Sequence, residues 1–143
     1  MRILGLDIGD KTVGVAVSDP LLISAQGVAT IERVGIRKDT GKVLEYIKEY
    51  GCEKVVAGLP LMLNGEDSPQ TAKVREFVAM LENKMRSNGL KFGVEFQDER
   101  FTTKIAERVL IEADVSRSKR KEIIDRQAAV IILQSYLDSH RNP

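Results

Sequence analysis

The sequence holds no tryptophan, four prolines, one cysteine and one histidine in 143 residues, and the last two scarcities each close a route. Cys52 has no second cysteine to pair with in the chain and no neighbouring Cys or His with which to share a zinc ion, so a reducing cytoplasm is the expected setting. His140 lies in the C-terminal tail, where simple exposure is expected, and it is a poor candidate for a general base. No apolar run approaches the length that crosses a bilayer. Met1-Arg2-Ile3-Leu4-Gly5-Leu6-Asp7 also lacks the apolar stretch and small-residue cleavage site of a secretory leader, so no membrane role is expected. An excess of one charge is missing as well. With 22 Lys and Arg against 21 Asp and Glu the net charge is +1, which excludes a uniformly basic nucleic-acid coat and leaves any polyanion contact to local patches.

What is present is the composition of a globular protein, 43% hydrophobic and 30% charged, at a length that suits one domain over residues 1–143. Arg2 to Ile8 is nearly continuous in apolar residues and reads as a strand. Thr12 to Asp19 places Val13, Val15 and Val17 on one face of a second strand, with Gly9-Asp10-Lys11 as the hairpin turn between them. A third extended piece around Gly27 to Glu32 follows the break at Pro20. A helix then carries Val43, Leu44 and Ile47 and stops at Gly51. Lys54 to Gly58 reads as a short buried strand, and Ser68-Pro69 as a cap and first residue of a helix bearing Val74, Phe77, Val78, Leu81 and Met85 and ending near Gly89. Phe92, Val94 and Phe96 alternate toward Asp98-Glu99-Arg100. One helix is expected from Thr102 or Thr103, with Ile105, Val109 and Leu110, and a last one from Ser118 to about Ser139. Helix-separated strands add in parallel and hairpins in antiparallel fashion, so a three-layer α/β/α fold around a five-stranded mixed sheet is expected.

Three carboxylates stand where charge is costly. Asp7 follows Ile3, Leu4 and Leu6 in a strand of buried composition, and an ionised carboxylate there needs a cation or hydrogen-bond donors. The alternative is that it simply accepts backbone hydrogen bonds from the Gly9 turn. Asp125 precedes Ala128, Ala129, Ile132, Leu133, Tyr136 and Leu137 by offsets that define one helix face, so it stands near the start of an apolar stripe, about two turns from the cap and beyond most of the helix dipole. Glu99 ends a strand directly before a helix start, where active sites commonly form, although Asp98-Glu99-Arg100 also fits a surface charge cluster. Brought together, three such acids would suit hard divalent ions such as Mg2+ or Mn2+, set roughly 3.5–4 Å apart in two-metal phosphodiester chemistry.

Four motifs in order carry a further likeness: Leu6-Asp7-Ile8-Gly9 with Gly14-Val15-Ala16-Val17-Ser18-Asp19, then Gly58-Leu59-Pro60-Leu61, then Asp98-Glu99-Arg100-Phe101-Thr102-Thr103, and Ile124-Asp125 with Ala128-Ala129. Across essentially its whole length the chain resembles the YqgF, or RuvX, family of RuvC-like nucleases. The resemblance implies a ribonuclease-H-like fold and catalytic, metal-holding roles for Asp7, Glu99 and Asp125. It also implies a part in maturing the 5′ end of precursor 16S ribosomal RNA. The family in turn resembles Holliday-junction resolvases, a fold-level analogy that makes branched DNA the alternative substrate. Such resolvases typically carry a fourth carboxylate one turn from the final Asp. Here Ala128 lies one turn later and Glu122 one turn earlier, which leaves the role of Glu122 open.

Arg117, Lys119, Arg120 and Lys121 directly precede the Asp125 segment and would place positive charge at the rim of an acidic centre, while Arg100 either clamps a phosphate or pairs with Asp98 or Glu99. Gly9 reads as a turn, and Gly58 as either a turn or a point of close backbone approach. A monomer and a homodimer are both compatible with these features. Two rivals stand beside the nuclease. One is an actin-like or sugar-kinase-like ATPase, suggested by Asp7-Ile8-Gly9 and Thr12 but opposed by the short chain. The other is a non-catalytic RNA-binding module of ribosome assembly.

Overall fold

The computed structural model describes residues 1–99 and 116–140, with the side chains of residues 117, 118 and 120–126 left aside. Five strands form one mixed sheet in the order β3-β2-β1-β4-β5: β1 (Ile3–Ile8), β2 (Thr12–Ser18), β3 (Ala25–Glu32), β4 (Lys54–Leu59) and β5 (Val94–Asp98). The β1–β2 and β2–β3 pairs are antiparallel and the β1–β4 and β4–β5 pairs parallel, as hairpins and helical crossovers require. Three helices are described: α1 (Ile36–Glu49), α2 (Pro69–Ser87) and α3 (Arg117–Ser139). The expected helix from Thr102 or Thr103 lies outside the described residues.

Alternation along β1 sorts its side chains between two cores. Leu4, Leu6 and Ile8 join Val13, Val15 and Val17 of β2 beneath α1 and α2, which supply Val43, Leu44, Ile47, Val74, Phe77, Leu81 and Met85. Ile3 belongs to the opposite face, where Ala16 and Val56 meet Ala129, Ile132, Leu133, Tyr136 and Leu137 of α3. The sheet is therefore covered on both sides, the three-layer arrangement expected from the sequence.

The helix ends follow local chemistry. The Ser68 hydroxyl accepts from the Thr71 N–H, the Thr71 hydroxyl accepts from the Ser68 N–H, and Pro69 opens α2, as read from the sequence. Gly51 and Gly89, both at positive φ, end α1 and α2 in the same way. The N–H of Cys52 reaches the carbonyl of Ile47, and that of Leu90 the carbonyl of Met85. The start of α1 is capped from inside, because the buried Asp39 carboxylate reaches back to accept from the N–H groups of Val34 and Gly35. Expected bounds shift by a residue or two at several ends: β1 begins at Ile3 rather than Arg2, β2 ends at Ser18 rather than Asp19, β3 begins at Ala25 rather than near Gly27, β4 runs to Leu59 rather than Gly58, β5 begins at Val94 rather than Phe92, and α3 begins at Arg117 with Ser116, not Ser118, in the cap position. Among the described residues no helix is long and apolar enough to cross a membrane.

Candidate active site

The carboxyl ends of the parallel strands β1, β4 and β5 share one edge of the sheet, and two of the three acids singled out in the sequence meet there. Asp7 is the penultimate residue of β1, half-buried, and pairs with Gly14 of β2. A Cβ built on Gly14 would lie 3.6 Å from the Cβ of Asp7 and 3.3 Å from that of Ala129, so Asp7 points to the α3 face. Gly9, next along the chain, makes the expected hairpin turn, its N–H donating to the Thr12 carbonyl at 2.9 Å. Arg33 ties this turn to α1, with Nη1 donating to the Gly9 carbonyl and Nε to Asp39, both at 3.0 Å. Nothing in the sequence around Arg33 signals that link.

Glu99 follows β5 by one residue, and its N–H donates to the Leu59 carbonyl at 3.1 Å. Its side chain turns back over β4, where the carboxyl lies against Gly58 and beside Ile132 of α3. Burial, then the charge of Asp7, then that of Asp98, push the Glu99 carboxyl up from 4.5 to about 7. Such a rise is the electrostatic mark of acids crowded in a low-dielectric setting.

The third acid comes from α3, which runs antiparallel to the central strands. Tyr136 sits by Lys54 at the start of β4, and Ile132 by Gly58 near its end. Asp125 falls four residues before Ala129, so its backbone lies about 6 Å further along the axis toward the edge that holds Asp7 and Glu99. Its side chain is outside the described residues, as are those of Glu122, Arg117, Arg120 and Lys121, while Lys119 is exposed. Arg100 lies outside them altogether. Among the described residues no three acids, histidines or cysteines form a complete metal cluster.

Three glycines form the floor beneath α3. A Cβ on Gly5 would stand 2.7 Å from the Leu133 Cβ, and one on Gly58 2.6 Å from the Ile132 Cδ1, so bare Cα atoms let the helix settle close to the sheet. Their only sequence signal is glycine inside strands that need no turn. At the far end, Lys54 Nζ donates to the Tyr136 hydroxyl at 3.1 Å and pairs with Glu95 at 3.3 Å, and Tyr136 donates to Glu95 at 2.6 Å. His140, though exposed as expected, stacks on Tyr136 with ring centroids 3.9 Å apart.

Comparison with known proteins adds three findings. A protein of Clostridioides difficile (strain 630) is 54% identical over 137 residues, covering 96% of this chain and 94% of its own. One from Caldanaerobacter subterraneus subsp. tengcongensis is 52% identical over 143 residues, covering 99% of each; both bear the name "Putative pre-16S rRNA nuclease". Among solved structures, Thermus thermophilus RuvC in complex with a Holliday junction substrate superposes with a TM-score of 0.57 at 11% identity, covering 97% of this chain and 94% of that one. At that identity the likeness shows the fold alone, which is the ribonuclease-H-like fold expected from the sequence. The RuvX family, described as "Holliday junction resolvase", matches residues 1–139, and with relatives at half identity over nearly the full length the chain belongs to the RuvX, or YqgF, family.

Proposed function

We propose that this chain is a metal-dependent nuclease that hydrolyses phosphodiesters, with precursor 16S ribosomal RNA as its substrate and Asp7, Glu99 and Asp125 as its catalytic carboxylates. The observation that carries the reading is the Glu99 carboxyl folded over Gly58 on the Asp7 side of the sheet, with its proton affinity raised by burial and by its acidic neighbours. Two carboxylates held together at such cost fit a divalent cation, and oxygen-only donors favour Mg2+ or Mn2+ over zinc. Bound there, the ion would supply Lewis-acid stabilisation of the charge that develops on phosphodiester oxygens.

The chain's own groups do the rest. Asp7 is fixed by its place in a central strand and by the Arg33-braced turn that follows it. Glu99 is aimed by its backbone bond to Leu59. The segment Arg117, Lys119, Arg120 and Lys121 opens α3 at the same edge and offsets the negative field that the acids present to a polyanion, with Arg100 a further phosphate contact. The names of the relatives favour precursor ribosomal RNA, and the family description keeps branched DNA as a second reading.

One assay separates these outcomes. Precursor ribosomal RNA and a four-way DNA junction are each incubated with the protein and Mg2+ or Mn2+, beside Glu99→Gln. Cleavage of the RNA by wild type, lost in Glu99→Gln while binding persists, is the expected result. Cleavage of the junction alone moves the substrate to DNA, and silence of wild type on both makes the chain a binding module.

A further inference from the structure

The reason for glycine at position 58 is not conformational. Gly58 sits inside β4, pairs with Gln97 of β5 and has none of the left-handed backbone seen at Gly51, Gly65 and Gly89, so any residue could adopt its conformation. What excludes a side chain is what lies over it. A Cβ at this position would stand 2.7 Å from both Cδ and Oε1 of Glu99 and 2.6 Å from Cδ1 of Ile132, distances that real Cβ atoms essentially never show.

We infer that Gly58 is a positioning residue for Glu99: its missing side chain leaves the hollow in which the Glu99 carboxyl rests on the sheet, on the face that Asp7 shares. The inference rests on the reading of Glu99 as a metal-holding carboxylate. If Gly58 gains a methyl group, both neighbours have to give, and their settings differ. Ile132 is 1% exposed and packed among Val56, Leu133 and Tyr136, where displacement strains a close-packed core. Glu99 directly follows the end of β5 and is half-buried, so its flexible side chain can swing outward toward water, which a half-buried carboxylate favours. The methyl group therefore evicts the carboxyl outright, while the isoleucine gives only by straining its packing, a cost that shows in stability rather than in metal binding. Eviction takes an oxygen donor from the metal site while the sheet, the helix and any substrate-binding surface remain.

The test uses the full chain as Gly58→Ala, as Ile132→Val, which removes the atom 2.6 Å away, and as the double variant. The readouts are Mn2+ affinity by calorimetry and thermal unfolding without metal. By analogy with groups that orient metal ligands, Gly58→Ala is expected to weaken Mn2+ binding about 10–100-fold and to lower turnover on nucleic acid by a similar factor, with KM within about twofold of wild type. In the double variant Ile132→Val relieves the core clash, so unfolding returns toward that of Ile132→Val alone while Mn2+ affinity stays low. The double variant also serves should Gly58→Ala alone fail to fold. Wild-type Mn2+ affinity in Gly58→Ala, or affinity restored together with stability in the double variant, would overturn the inference and show Gly58 to be a packing residue only. Wild type that neither binds Mn2+ nor cuts nucleic acid would instead bring down the nuclease reading, and the inference with it.

Discussion

Asp39 and Glu99 show how the surroundings of an acid set the sign of its effect on stability. Burial alone pushes the Asp39 carboxyl up, but the N–H of Val34, the guanidinium of Arg33 and the N–H of Gly35 outweigh it and hold the group below its ordinary 3.8. Its contribution is therefore complete above pH ~4 and fades as pH falls through the lowered value. Asp39→Asn is expected to lose about 2–3 kcal/mol at pH 7 in urea unfolding, and the gap to wild type should narrow by pH ~3. Glu99 behaves oppositely. With its carboxyl raised from 4.5 to about 7, the folded metal-free protein keeps a proton that the unfolded chain has lost, so stability declines as pH rises across that window. Glu99→Gln should then melt above wild type at pH 8 in chelator, by on the order of 5 °C, with the difference gone near pH 4. Added Mn2+ should reverse the order, because only wild type gains a ligand that binds the native state.

Elements differ in how openly their sequences declare them. The start of α2 was legible because a Ser-Pro cap is complete within four residues, and the ends of α1 and α2 because a left-handed glycine closes each. The start of α1 was not legible, since its cap is Asp39 reaching back from inside the helix to N–H groups of the preceding loop. The acids show the same divide. That Asp7 is out of place among apolar neighbours could be read directly, whereas Glu99, set between Asp98 and Arg100, was marked only by its place at a strand end before a helix and fitted a surface charge cluster as well. That Glu99 folds over Gly58 depends on the β4–β5 register, which pairs Leu59 with Asp98 and which no local pattern encodes. Of the glycine floor under α3 the sequence marked Gly58 alone, as a turn or a close approach; Gly5 and Gly14 were missed because the helix that covers them lies more than 100 residues further along the chain, and that floor yields a prediction. Gly5→Ala drives a methyl group to 2.7 Å from the Leu133 Cβ, an atom that cannot rotate away, and should cost about 2–3 kcal/mol in denaturant unfolding. Gly14→Ala, whose nearest contact is 3.3 Å from the Ala129 Cβ, should cost less than half of that.

For the whole molecule, the near balance of charge means that attraction to a polyanion has to be local. Neutralising Arg117, Lys119, Arg120 and Lys121 removes four positive charges and takes the net charge from +1 to −3. RNA affinity should fall, and the slope of log affinity against log salt should flatten by about 2–3 for single-stranded contacts, as measured by filter binding between low and moderate salt. Unchanged affinity and slope would remove this segment from the interface. Order of synthesis gives the architecture one more meaning. The strand bearing Asp7 is translated well before the layer that covers its outer face, from Ala129 to Leu137. A polypeptide that stops short of Ala129 cannot close that layer, so a centre of the kind proposed above, which needs both faces in place, stays unassembled until the last described helix has been made.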